Sequence, residues 1–456
     1  MSRIHLNHLG VPPLAGICNY EEACIEGYTV DDNVHLLKRY HYVKKKLLDV
    51  YAAHLACTAE WEIKCAFSLH LWLEAEHSAT LRKRVSEMRE PPLGIDKVPD
   101  NMLEIVMEEV IRAETTLELL TGIYIVIKPA LLRSMHKHIR ETNPIADFPT
   151  TRLLKHMLMD EEEMVAWGTV AVQALIKTPD DQEMSTNWSN HLSGLLRQAG
   201  DIHGDHDLAL ANQHMQITTR YIGEPYEMDV TPKRDHRFKD NYNRSATYDE
   251  YYRDENLQPD ERVFALIYKR LREMDVPEWM GPIIYKTKNK PWEYYVDLSR
   301  QLWDEARHAM LGEIGMYALG IEFYKYPVDL KSSMILNTLW TPKDAHIILW
   351  GIEQSLMNKE TGKRKEWLIS QNSDIAIGKL IQDYDWADEV LHAQFGRKWL
   401  LPEYAHQEEL SSYFNTIFPK WKAQSLEETE ALSEQKPWWS EFVAEARRNR
   451  ETRTSQ

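Results

Sequence analysis

The sequence predicts an all-α protein. Leu, Glu, Ala, Lys and Met are abundant, and only 18 glycines and 20 prolines interrupt the 456 residues. Apolar residues recur at helical spacing, as at Val34, Leu37 and Tyr40, whereas the alternation typical of strands is scarce. A chain of this length exceeds one ordinary hydrophobic core, so two or more domains are expected.

Predicted helices follow one another along the chain, separated by proline, glycine and asparagine. They cover 32–88, 101–139 with a kink at Pro129, 150–176, 260–285, 291–319, a segment starting at Thr341, and 373–400. Proline and aspartate at 179–181 indicate a loop. We assign 1–180 to a first helical domain, 181–254 to a connector, 255–405 to a second helical domain and 406–456 to a C-terminal arm.

The arm is charged but carries an apolar anchor, Pro437-Trp438-Trp439. We expect it to pack on the body of the protein or on the second subunit of a homodimer.

Charge and hydropathy argue against nucleic-acid binding and against insertion into a membrane. The 71 acidic residues exceed the 54 basic ones, which gives a formal charge of −17 and argues against nucleic acid as a partner. No apolar run has the length of a signal peptide or a transmembrane helix, so a cytoplasmic protein without membrane contact is expected. The four cysteines lack a Cys-x-x-Cys pair, which disfavours a zinc ribbon or a disulfide framework.

The two halves of the chain resemble each other. A shift of 231 residues aligns Lys38-Arg39 with Lys269-Arg270, Trp61-Glu62 with Trp292-Glu293, Glu74-Ala75 with Glu305-Ala306, and His77 with His308. A shift of 228 aligns Asp160-Glu161 with Asp388-Glu389. These ordered matches predict an internal duplication of one helical module.

Two Glu-x-x-His motifs lie inside predicted helices of the second half, Glu305 with His308 and Glu389 with His392. The spacing places carboxylate and imidazole on the same helix face. A di-metal carboxylate centre in a four-helix bundle uses two such motifs and one glutamate from each of two further helices. The second half therefore predicts a metal centre.

Two further helices offer the remaining glutamates. Glu353 follows the apolar run 347–352, where a carboxylate would be buried and would need a cationic partner. Glu273 and Glu305 lie at similar distances from Lys288, the centre of the intervening turn, so they are expected to face each other. Glu278 is the alternative to Glu273, because Pro277 can restart the helix and shift its register.

Residues beside the motifs fit supporting roles. Asp304 and Asp388 can accept the free N–H of a metal-bound imidazole, and Arg307 can hold such an aspartate. Four carboxylates and two imidazoles without a thiolate suit iron or manganese.

The first half departs from this pattern. Glu74, His77 and Glu161 persist, and Glu114 or Glu118 could contribute from the next helix. However, the two shifts place Tyr42 and Met164 where Glu273 and His392 stand. We predict a degenerate copy without a full di-metal site, and one metal ion there remains an alternative.

The six candidate ligands resemble those of the ferritin-like di-iron carboxylate proteins. The Asp-Glu-x-Arg-His motif at 304–308 is similar to that of the hydroxylase subunits of bacterial di-iron monooxygenases, and the sequences around both motifs resemble uncharacterised bacterial ferritin-like proteins of this length. The resemblance covers 260–400. It implies two tandem ferritin-like four-helix bundles, the N-terminal one degenerate and the C-terminal one holding two irons, or iron with manganese.

The resemblance also implies an activity. Members of the family use O₂ as co-substrate to hydroxylate, desaturate or N-oxygenate a small organic substrate. Glu305 and Glu389 would bridge or chelate the metals, His308 and His392 would each bind one, and Glu273 and Glu353 would complete the set. No Rossmann or cysteine-ligated cluster motif is present, so a separate electron donor or reductase is expected. The alternative is non-catalytic binding of iron or manganese for storage, sensing or a scaffold role.

Overall fold

The structure, a computed structural model, describes residues 9–89, 94–430 and 432–454. These residues form an all-α protein, and no strand occurs among them. In the first half the α-helices are α1 (Tyr20–Ala23), α2 (Val30–His54), α3 (Trp61–Ser86), α4 (Asn101–Ile111), α5 (Thr116–Leu120), α6 (Lys128–Glu141), α7 (Phe148–Leu175), α8 (Pro179–Gln198) and α9 (His206–Asn212). A π-helical segment, Thr121–Ile127, joins α5 to α6.

In the second half the helices are α10 (Tyr248–Arg253), α11 (Pro259–Leu271), α12 (Asp275–Lys286), α13 (Trp292–Ala318), α14 (Lys331–Leu339), α15 (Pro342–Leu356), α16 (Lys363–Gln371), α17 (Ala376–Leu400), α18 (Gln407–Glu430) and α19 (Trp439–Thr454). A 3₁₀ turn, Arg272–Met274, joins α11 to α12. None of the helices in the described part of the chain is long and apolar enough to span a bilayer.

Several predicted boundaries differ from the observed helices, among them the helix expected over 260–285, which the 3₁₀ turn Arg272–Met274 interrupts. The loop expected at 179–181 is the start of α8, because Thr178 and Asp181 form a reciprocal capping box around Pro179. The single helix expected over 101–139 is divided, since Asp100 caps α4 and Thr115 caps α5.

The chain divides into two compact units. The first comprises the described residues of Met1–Val50 and Leu73–Glu227, and the second those of Tyr51–Trp72 and Met228–Gln456. Helices α2 and α3 therefore contribute to both units, and the stretch predicted as a connector is shared between them. The buried Trp61 at the start of α3 belongs to the core of the second unit, which explains this assignment.

Close helix packing in the second unit positions the candidate ligands. A Cβ built on Gly312 of α13 would lie 2.1 Å from the backbone nitrogen of Leu271, and one built on Gly396 of α17 would lie 2.6 Å from Trp350. These glycines let α13 approach α11 and let α17 approach α15. Helices α13 and α17 also pack against each other.

The C-terminal arm packs within the second unit. Trp438 stacks on Tyr326 with ring centroids 5.3 Å apart, and Trp439 stacks on Tyr251 at 4.6 Å. Both tryptophans belong to the same buried cluster as Trp61. The anchor predicted from the sequence is therefore part of the core.

Candidate metal centre

The six predicted ligands lie together inside the second unit, and each is at most 7% exposed. Their ligand atoms form two groups with a seventh residue, Asp385. The four-ligand group consists of Glu305, Glu353, Glu389 and His392. The three-ligand group consists of Glu273, His308 and Asp385. Within each group the ligand atoms lie within 4.8 Å of one another.

Both imidazoles direct Nδ1 at the carboxylates. Nδ1 of His392 lies 3.2 Å from Glu305 Oε1 and 3.6 Å from Glu389 Oε2. Nδ1 of His308 lies 3.5 Å from Glu273 Oε2 and 3.9 Å from Glu305 Oε2. Glu305 thus presents one oxygen to each imidazole, so its carboxylate could contact cations held in both groups.

The opposite ring nitrogens are held by the aspartates that precede the motifs. Nε2 of His308 lies 3.0 Å from Asp388, and Nε2 of His392 lies 3.4 Å from Asp304. Each aspartate therefore contacts the histidine of the other helix. Arg307 donates to both aspartates, at 2.7 and 2.6 Å. These contacts keep a proton on Nε2 and leave Nδ1 facing the centre.

Five buried ligand atoms in this centre have no hydrogen-bond partner. They are Oε2 of Glu273, Nδ1 of His308, Oε2 of Glu353, Oε2 of Glu389 and Nδ1 of His392. A buried polar atom without a partner is costly and calls for a bound group. Three of the five lie in the four-ligand group and two in the three-ligand group, so one cation in each group would satisfy them.

The protonation equilibria reflect the same crowding of negative charge. Burial and the neighbouring Glu389 and Glu305 raise the pKa of Glu353 well above its usual range. Burial alone would lower the pKa of His308 and of His392, but the surrounding carboxylates outweigh it and raise both well above the usual value. Metal binding would therefore release protons from this centre.

Three residues of this centre escaped the sequence prediction. Asp385 lies one helical turn before Glu389 on α17, which puts both carboxylates on one face. Arg270 Nη1 lies 2.9 Å from Glu273 and also contacts Asp385. Lys363 Nζ lies 2.8 Å from both Asp385 and Glu389. The Asp-x-x-x-Glu spacing at 385–389 was a usable signal for the aspartate.

Glu278, the alternative to Glu273, lies in a different cluster. Its Oε1 accepts from Lys64 and Arg234, and Ser333 Oγ lies 3.5 Å from Oε2. The structure thus brings Glu273, and not Glu278, to the other five predicted ligands.

In the first unit, lysine side chains lie between the retained carboxylates. Lys44 Nζ lies 3.1 Å from Glu74 and 3.0 Å from His77 Nδ1, and it also contacts Glu161. Lys128 Nζ lies 3.0 Å from Glu161 and also contacts Glu74. Each carboxylate therefore bridges two ammonium groups, and all four side chains are fully buried.

This lysine-filled cluster has no free ligand oxygen on either glutamate. Glu114 and Glu118 do not join it, because Glu118 forms a two-armed ion pair with Arg220 and the side chain of Glu114 is 73% exposed. Burial would raise the pKa of Glu161, but Lys128 and Lys44 lower it far below its usual range. The two ammonium groups thus supply the positive charge that a metal would otherwise bring.

Comparisons with protein-family models, with curated proteins and with solved structures found no match for this chain. Its function is therefore inferred from the side chains of the candidate centre.

Proposed function

We propose that this chain is a di-iron oxidoreductase that uses O₂ to oxidise a small organic substrate. In this proposal the two units are tandem ferritin-like four-helix bundles, and only the second holds metal. The observation that carries the proposal is the grouping of buried carboxylate and imidazole ligand atoms from four helical segments, five of which form no hydrogen bond. The ligand set of carboxylates and imidazoles favours iron, with a mixed iron–manganese pair as the variant of the same site.

Two bound irons would supply electrons for the reduction of O₂, and a separate reductase would return them. The protein side chains do the rest. Asp304 and Asp388 hold the Nε2–H of the two imidazoles, and Arg307 ties the aspartates together. The complete burial of His308 and His392 keeps bulk water away from the centre.

Metal content tests the site directly. After anaerobic loading with Fe(II) and desalting, the wild-type protein should retain two irons per chain. Glu305→Ala and His392→Ala should each retain at least one iron fewer, because each removes a ligand of the four-ligand group. Glu293→Gln changes an exposed carboxylate on the same helix as Glu305 and should retain both irons. Equal iron content in all four proteins would refute the site.

Oxygen consumption tests the chemistry. The reduced, iron-loaded protein should consume O₂ and develop a transient optical absorption, and a true substrate should change the rate of that reaction. Iron binding without O₂ consumption, whichever reductant is supplied, would overturn the enzymatic proposal and favour a storage, sensing or scaffold role. Screening small organic molecules for rate changes would then identify the substrate class.

A further inference from the structure

The two ligand groups of the candidate centre differ in the positive charges around them. In the three-ligand group, Arg270 Nη1 lies 2.9 Å from Glu273 Oε1 and contacts Asp385 Oδ1. Lys363 Nζ lies 2.8 and 3.0 Å from the two oxygens of Asp385. Both carboxylates of this group therefore already have a cationic partner.

The four-ligand group is far less neutralised. Glu389 Oε1 contacts Lys363, but its Oε2 has no hydrogen-bond partner. Within the described part of the chain, the ion pairs of Glu305 involve only histidines, and Glu353 accepts one weak bond, from Gln301 at 3.3 Å. A metal ion entering here can bind Oε2 of Glu389 while Oε1 keeps its contact with Lys363, so no lysine or arginine has to be displaced.

We infer that the centre binds its two metal ions unequally: the four-ligand group fills first, and the three-ligand group fills only when the second ion displaces Lys363 and Arg270 from Asp385, its third protein ligand. The inference rests on the proposed di-metal function. It assigns Asp385 as a metal ligand and Lys363 as a built-in competitor of the second metal.

The first unit shows what such competition leads to when it is complete. There Lys44 and Lys128 neutralise Glu74 and Glu161 fully, and no ligand oxygen is left over. The second unit is intermediate: among the described residues Glu305 and Glu353 of the four-ligand group contact no lysine or arginine, whereas in the three-ligand group both oxygens of Asp385 and one oxygen of Glu273 contact side-chain cations.

Arg270 and Lys363, the two competing cations, are costly for a metal ion to displace. Arg270 and Lys363 are essentially completely buried, so neither can replace its carboxylate partner with water at low cost. Glu366 lies 3.5 Å from Arg270 Nη2 and gives this guanidinium a second anion to hold after displacement. Lys363 has a flexible stem and a single charged nitrogen, so it is the side chain whose removal most directly frees Asp385.

Anaerobic titration of the metal-free protein with Mn(II), followed by calorimetry and by the electron paramagnetic resonance signal of free Mn(II), tests the inference. We expect two phases of one ion each, the second about tenfold or more weaker than the first. Lys363→Met should tighten the second phase by about tenfold or more, because a competing buried cation is gone. Asp385→Asn should weaken the second phase by about 10- to 100-fold and leave the first close to its wild-type affinity.

Lys365→Met is the matched control. Lys365 lies on the same helix as Lys363, but its side chain is 31% exposed and its Nζ is 3.7 Å from Glu255, so both phases should be unchanged. Circular dichroism establishes that each variant is folded, and Asp385→Asn decides the question if Lys363→Met does not fold.

The outcomes distinguish failure of the unequal-binding inference from failure of the proposed di-metal function. Two ions bound with equal affinity, or a second phase that neither Lys363→Met nor Asp385→Asn alters, would overturn the inference and leave the di-metal proposal standing. Failure of the wild-type protein to bind any metal would overturn the proposed function itself.

Discussion

The lysine-filled cluster of the first unit makes a sharp prediction for Lys44→Met. Methionine nearly preserves the length of the side chain but removes the charge, so packing changes little. Lys128 would then be the one ammonium group shared by Glu74 and Glu161, with the imidazole Nδ1 of His77 3.7 Å from Glu161 Oε1, so one negative charge would no longer face an ammonium group in this buried site.

The magnitude follows from the cheapest way to remove that charge. Breaking a buried ion pair by deleting one partner costs about 3–5 kcal/mol. Protonating one glutamate instead, from an ordinary pKa near 4.3, costs about 3.7 kcal/mol at pH 7, which sets the ceiling for Lys44→Met. The folded variant then binds one proton that the unfolded chain does not bind. Its deficit should therefore shrink by about 1.4 kcal/mol for each unit by which the pH falls below 7.

Urea unfolding followed by circular dichroism at pH 7 and pH 5.5 measures both effects. Lys45→Met is the matched control, because the neighbouring Lys45 is 33% exposed and its Nζ lies 3.2 Å from Asp96. An exposed pair of this kind contributes at most about 1 kcal/mol. A Lys44→Met deficit no larger than that of the control, or one that grows as the pH falls, would refute the reasoning.

Three further predictions concern other parts of the molecule. Burial lowers the pKa of His138 to about 4, so at pH 5 this side chain is neutral in the folded protein and protonated in the unfolded chain. In urea unfolding, wild type should therefore lose about 2 kcal/mol more stability between pH 7 and pH 5 than His138→Gln. Equal losses in the two proteins would contradict this prediction. Gly312→Ala would place a Cβ 2.1 Å from the backbone of Leu271 and should cost about 2 kcal/mol or more; an unchanged melting temperature would show that α11 and α13 are not so close. Asp388→Asn weakens the acceptor for His308 Nε2 and should reduce metal affinity by about 10- to 100-fold in chelator competition; retention equal to that of wild type would argue against the assigned role.

Helix composition and periodicity were sufficient to predict the all-α class, but packing between distant segments was not. The capping box of Thr178 and Asp181 was visible in the sequence, yet the proline and aspartates at 179–181 resemble a loop when only composition is considered. The assignment of Trp61 to the second unit depends on long-range contacts that helical periodicity does not encode.

The spacing of Glu305 with His308 and of Glu389 with His392 placed each pair on one helix face, because three residues is nearly one helical turn. The same spacing argument could not find the lysines of the first unit. Lys128 follows a π-helical segment, which shifts the register of every following side chain relative to an ideal α-helix.

The buried ammonium pair of Lys44 and Lys128 has a consequence for how the chain depends on its surroundings. The positive charge at this place is covalently part of the polypeptide, so it is present as soon as the segment folds. Under the proposed function, the first unit would need no metal ion to balance Glu74 and Glu161, and a chelator would leave its stability unchanged. Iron limitation would then affect only the proposed centre of the second unit.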